Sequence, residues 1–253
     1  MNHIEEIAVA IQGLYVTFAR YPRPATIEYC PCGCTKPNEV LPLLAVPLNE
    51  LRFEDLTGYS TSAMSTQGSV EDFKYFLPRL LDGIARERYG LCPEMLFGKL
   101  KYAEWLNWDE EEINAVRRFL MVMWRVGILS FPLEQAFPAF FEVETLIASI
   151  ACAGEGLKPY LDIWTQAAVE EADQHLIQFV TMFGKDFDDG RTLGFGFWKD
   201  MLEPAETLRR WILRPETIDR IARSQHLLPQ DGYEHLFDPA FQILQAESMA
   251  RNL

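Results

Sequence analysis

Gly68-Ser69-Val70-Glu71-Asp72-Phe73-Lys74-Tyr75-Phe76-Leu77-Pro78-Arg79-Leu80-Leu81 is the stretch whose reading decides the fold class. Ser69 is placed to accept from the backbone N–H three residues on, and Glu71 and Asp72 put negative charge into the first turn. Phe73, Phe76, Leu77, Leu80, Leu81 and Ile84 then recur at helical spacing. The pattern predicts a helix beginning at Ser69. Pro78, about two turns in, removes one intrahelical hydrogen bond and crowds the preceding turn, which predicts a kink there.

Working upstream, Ile4, Ile7, Ala8, Ile11, Leu14, Tyr15 and Phe18 make one face of an opening helix that Tyr21-Pro22-Arg23-Pro24 ends. An irregular cysteine loop follows, then a short helix capped by Asn38 and running through Leu44, and another over Phe53 to about Ser65. Downstream, Pro93 suits the first turn of a helix reaching Trp105. Asp109 is placed to cap a longer helix, with Glu110, Glu111 and Glu112 complementing its dipole and Ile113, Val116, Phe119, Leu120, Met123 and Trp124 along its buried face. Phe141 to Ala153 and Leu157 to Met182, the latter as one helix or two, continue the pattern until Gly184. Residues 185–196 carry turn formers and no period, which marks them as a domain junction or a mobile functional loop. Pro204, Pro215 and Pro239 open later helices, the last containing Phe241, Leu244 and Met249. With no strand alternation, the reading is an all-α single domain over 1–253, built as an irregular bundle or a short stack of antiparallel helical hairpins, with 184–196 as its point of subdivision.

The box, with Thr66-Gln67-Gly68-Ser69 before it and Phe76-Leu77-Pro78-Arg79 inside it, resembles a family of uncharacterised bacterial proteins that share it together with an upstream cysteine cluster and downstream helices. Lys99-Leu100-Lys101-Tyr102-Ala103-Glu104-Trp105 and Trp211-Ile212-Leu213-Arg214-Pro215 are weaker matching points. The resemblance implies a mainly helical fold over much of the chain and brings no activity with it.

A chain of 253 residues buries roughly three quarters of its unfolded surface, so its core needs no metal or disulfide staple. A net charge of −14 repels nucleic-acid phosphates and anionic membranes at long range and favours a basic protein partner, although it also serves plain solubility. The N-terminus has no basic region before its apolar stripe and no apolar run approaches a membrane span, so a cytoplasmic, reducing compartment is expected.

Cys30-Pro31-Cys32-Gly33-Cys34 is the sharpest local signal for chemistry, because three thiols in five residues can converge on one soft cation such as structural zinc. The fourth ligand would come from Cys92, His3, His175, His226 or His235; the alternative is three reduced thiols in a tucked loop. Cys152, among small residues on a helix, reads as a packed thiol. Glu171 and His175, four apart, read as a surface ion pair rather than half of a di-iron site. Asp186-Phe187-Asp188-Asp189-Gly190 fails as a calcium loop, since Arg191 and Phe197 occupy the glycine and closing-carboxylate positions. Gly194-Phe195-Gly196-Phe197 lacks the strand and third glycine of a dinucleotide fingerprint. The nucleophile-elbow, zincin and phosphate-loop motifs are missing too.

The function expected from these residues is non-catalytic binding of a basic protein, on the physical pattern of an immunity protein that covers a basic toxin. Asp109, Glu110 and Glu111 with Asp186, Asp188 and Asp189 supply the negative patches, and Trp105, Trp108, Phe187 and Phe195 the apolar anchors. The alternative is a metal-assisted or acid–base hydrolase with a pocket near 185–196, using Glu171, His175 or the aspartates.

Overall fold

The helix start at Ser69 forms as the sequence predicts. Ser69 Oγ accepts from the Asp72 N–H at 3.1 Å, and Asp72 Oδ2 accepts from the Ser69 N–H at 2.8 Å, so two backbone donors are satisfied reciprocally. The geometry is that of a computed structural model, which describes residues 3–31, 33, 35–87, 92–190, 193, 196–228 and 234–251, with backbone alone for 188–190, 234 and 251. Among the described residues there are twelve α-helices and no strand: α1 His3–Phe18, α2 Pro37–Ala45, α3 Phe53–Ser62, α4 Val70–Arg86, α5 Pro93–Tyr102, α6 Glu110–Ile128, α7 Val143–Cys152, α8 Lys158–Gln166, α9 Glu170–Phe183, α10 Leu202–Ile212, α11 Pro215–Ser224 and α12 Phe237–Arg251. None of them is long and apolar enough to cross a membrane.

All six stripe residues of α4, from Phe73 to Ile84, are fully buried, and the helix runs through Pro78 without interruption. Burying each large apolar side chain contributes about 1.5–3 kcal/mol, so α4 is the axis of the core. Helix α1 packs on α4 and α6, α5 packs on α7, and α12 on α9. In a stack of hairpins each repeat touches its sequence neighbours, whereas here helices far apart in the chain meet, so the architecture is an irregular bundle. The buried apolar residues form one cluster from Ile7 to Leu244.

The turn that delivers the chain to α4 needs Gly68. Its φ is +70°, and an added Cβ would lie 3.1 Å from Asp72 Oδ2 and 3.3 Å from Tyr59 Oη. The cysteine-loop segment is hydrogen-bonded to this turn, with Cys30 N–H donating to Thr66 O at 2.8 Å and Gly68 N–H to Glu28 O at 2.7 Å. Replacing Ser69 by Ala is expected to lower stability by about 1 kcal/mol, and by Gly a few tenths. Denaturant midpoints of the two variants check the order; a loss for Ser69→Gly as large as for Ser69→Ala would contradict the cap.

Several boundaries differ from the sequence reading. Lys36, not Asn38, occupies the cap position of α2, and Pro37 opens the helix. Helix α5 stops at Tyr102, because Glu104 turns left-handed at φ +51° before a 3-10 helix over Trp105–Asn107. The stretch 157–182 is two helices, and 184–190 continues α9 as a 3-10 helix. There Phe187 is buried, and a Cβ on Gly184 would lie 2.8 Å from Ala240 Cβ of α12. The 3-10 helix 184–190 thus packs against α12 through Gly184 and Phe187, with Lys185 and Asp186 exposed.

Candidate functional site

The start of α6 departs from the expected cap. Asp109 occupies the cap position, but its side chain makes no capping bond; Oδ2 instead accepts from Arg20 Nη2 at 2.8 Å, with the carboxylate 72% exposed. Glu110 and Glu111 are exposed and form no ion pair among the described residues. Glu112 turns inward. Its fully buried carboxylate takes Lys74 Nζ at 2.8 Å, Arg20 Nη2 at 2.6 Å and the Tyr21 hydroxyl at 2.5 Å. Burial pushes the Glu112 pKa up, but the hydrogen bonds from Lys74, Tyr21 and Arg20 outweigh it and hold the group below its ordinary value. The Lys74 ammonium also sits 4.3 Å from the Trp108 ring centroid. The spacing of Glu112, Val116 and Phe119 on one helical face was the available signal that this third glutamate is interior.

The expected apolar anchors are corrected in part. Trp105 and Phe187 are fully buried, and Trp105 Nε1 donates to Ala153 O at 2.7 Å, so both already serve the protein's own core. Trp108 is half-buried between Phe18, Phe73 and Lys74. Phe195 lies outside the described residues. The apolar groups exposed near the acidic run are instead Tyr102, at 62%, and Leu106, at 44%. Leu106 borders a depression of about 280 Å³ together with Lys101, Glu104 and Asn107.

Asp186 is exposed on the 3-10 helix 184–190, away in sequence from the α6 start, and the side chains of Asp188 and Asp189 lie outside the described residues. Cys32 and Cys34 lie outside them too, which leaves Cys30 to represent the loop. Cys92 packs elsewhere, its Sγ donating to Glu94 Oε2 at 3.4 Å. Among the described residues no group of three or more His, Cys, Asp or Glu side chains converges as a metal site. Cys152 Sγ lies 3.8 Å from Met201 Sδ, and burial pushes its thiol up to about 12, as suits an inert packed cysteine.

Glu171 and His175 are not the surface ion pair expected of their spacing. His175 is fully buried in α9, with Nε2 3.0 Å from Gly127 O and 2.8 Å from Ser130 O and the ring edge-on to Phe131. Burial pushes its pKa down, against the two carbonyl bonds that favour the cation. The ring ties α9 to the end of α6 and is closed to substrate. Glu171 faces a cavity of about 720 Å³ between the start of α1, the end of α4 and the 129–138 segment. His226, on the 3-10 turn that follows α11, has Nδ1 3.1 Å from Arg223 O of that helix.

One perturbed carboxyl had no signal in the sequence. Glu144, in the first turn of α7, is pushed up to about 7 by burial and by the nearby carboxylates Glu94 and Glu142, against a 2.6 Å hydrogen bond from Trp198 Nε1. The chain matches no protein-family model, no curated protein and no solved structure.

Proposed function

We propose that this chain is a non-catalytic acidic protein that engages a basic protein partner, in the manner of an immunity-type inhibitor of a basic toxin. The observation that carries the reading is the α6 start, where the exposed carboxylates Asp109, Glu110 and Glu111 lie next in sequence to the exposed Tyr102 and Leu106. An aromatic and an aliphatic group are the kind that anchor an interface once desolvated, and carboxylates around them steer a cationic partner in and reject an anionic one. The net charge of −14 extends that steering over the whole surface, and Asp186 adds to it from another element. The packed His175 supports binding over acid–base chemistry, because its ring is fully buried with Nε2 held by two backbone carbonyls.

The test is capture of partners from the protein's own cells on immobilised wild type and on Glu110→Lys/Glu111→Lys. Wild type is expected to retain a basic protein at low ionic strength, with much less on the double variant and at about 1 M salt, where charges are screened beyond about 3 Å. Equal capture by the two proteins, or no basic protein at low salt, would overturn the reading.

A further inference from the structure

We infer that the groove along α1 binds a single-tailed anionic amphiphile, with its tail in the cavity between α1, α4 and the end of α6 and its carboxylate on Arg86. The site does not depend on the basic-partner reading. Two cavities adjoin here, one of about 720 Å³ and one of about 490 Å³, and both are lined by Ala8 and Arg86. The first lies in the size range of small-molecule sites, about 300–1,000 Å³, with an apolar side made by Ile7, Val126, Leu129, Phe131, Ala136 and Pro138 and a polar side made by His3, Arg86, Ser130, Gln135 and Glu171.

The second cavity carries the charge. Asp82 Oδ1 forms an ion pair with Arg86 Nε at 2.6 Å without a hydrogen bond, and Oδ2 accepts from Arg79 Nη1 at 3.1 Å and from the Tyr15 hydroxyl at 3.3 Å. Arg79 is further fixed by donating Nε to Leu51 O at 2.8 Å and by stacking on Phe53 at 3.8 Å. Two guanidinium groups against one carboxylate leave a surplus of one positive charge, in a chain whose net charge is −14. Arg86 is the more open of the two, with its side chain 54% exposed, and Asp82 is its one ion-pair partner among the described residues. Its remaining N–H groups suit a second carboxylate, for which the planar fork is well matched. Glu171 on the polar side of the larger cavity disfavours an anionic head there, while His3 Nδ1 at the α1 rim lies 3.4 Å from Ser130 Oγ. The head is thereby directed to the arginine side and the tail to the apolar side.

The experiment is calorimetric titration of the full chain with decanoate and with decan-1-ol. Decanoate is expected to bind one per chain and decan-1-ol at least about tenfold more weakly, the scale of a lost charge-assisted hydrogen bond. Arg86→Ala is expected to weaken decanoate about tenfold and decan-1-ol by much less, since the alcohol loses only the arginine's contact with the cavity wall. Ala8→Trp, at an exposed position shared by both cavities, is expected to abolish binding of both without disturbing the core. Equal affinity for acid and alcohol, unchanged binding to Ala8→Trp, or no binding of decanoate at all would each overturn the inference. The acid–alcohol comparison and Ala8→Trp decide the matter even if Arg86→Ala fails to fold.

Discussion

Glu112→Ala is expected to destabilise the protein by about 3 kcal/mol, because it strands the half-buried Lys74 ammonium without its carboxylate. The low end of the range for breaking a buried pair applies, since Arg20 reaches the cluster from solvent with its side chain 41% exposed. The double variant Lys74→Met/Glu112→Leu is expected to recover most of the loss, as removing both charges leaves no unpaired ion. Chemical denaturation of the three proteins measures both effects, and a double variant as unstable as Glu112→Ala would refute the explanation. The same cluster sets a pH dependence. The folded pKa of Glu112 lies below its ordinary value of 4.5, so its contribution is fully present above that unfolded value and is lost as pH falls through the folded one. Wild type should therefore lose stability on acidification below about pH 4.5 more steeply than Lys74→Met/Glu112→Leu.

Trp164→Ala is expected to cost about 4 kcal/mol, within the range for truncating a buried tryptophan. Trp164 is fully buried on α8 and stacks on Trp211 with centroids 4.8 Å apart. It meets Trp124 at 5.7 Å and Phe179 at 6.3 Å, and donates Nε1 to Ala172 O at 2.9 Å. Truncation therefore removes contacts among α6, α8, α9 and α10 at once and leaves Ala172 O without that donor. Trp164→Phe retains much of the volume and should lose less. Equilibrium unfolding decides between them; a loss under about 1 kcal/mol for Trp164→Ala would mean that the site collapses and that the cluster is not a structural hub.

Helix existence was legible because caps and stripes are local. Ser69 and Asp72 sit three apart, the α4 stripe has one period throughout, and both features survive in the fold unchanged. Helix ends were less legible where tertiary contacts compete with the cap. Asp109 forms its bond with Arg20 instead of its own helix, and the 184–190 segment is held by the close approach of α12 at Gly184. Neither partner is near in sequence.

The candidate sites were less legible for the same reason. Which tryptophans would be surface anchors turned on pairings such as Trp105 with Ala153, separated by 48 residues. Tyr102 and Leu106 gave no warning of exposure, because an isolated aromatic or leucine is equally at home in a core. The groove at Arg79, Asp82 and Arg86 lies on the helix that the deciding stretch opens, yet a helical face of Arg, Asp and Arg reads as solvated charge until Tyr15 and Leu51 close around it. Glu144 acquires its raised pKa from burial first and then from Glu94 of α5 and Glu142, against the hydrogen bond from Trp198, and neither Glu94 nor Trp198 is adjacent to it in sequence.

The measurement that most directly tests an acidic binding surface at the start of α6 is the association rate of the captured basic partner as a function of ionic strength, for wild type and for Glu110→Lys/Glu111→Lys. The wild-type rate is predicted to fall steeply with added salt, and the variant to start lower and fall less, because the steering field at the patch has been reversed. Identical rates with identical salt slopes would contradict the assignment of partner binding to Asp109, Glu110 and Glu111.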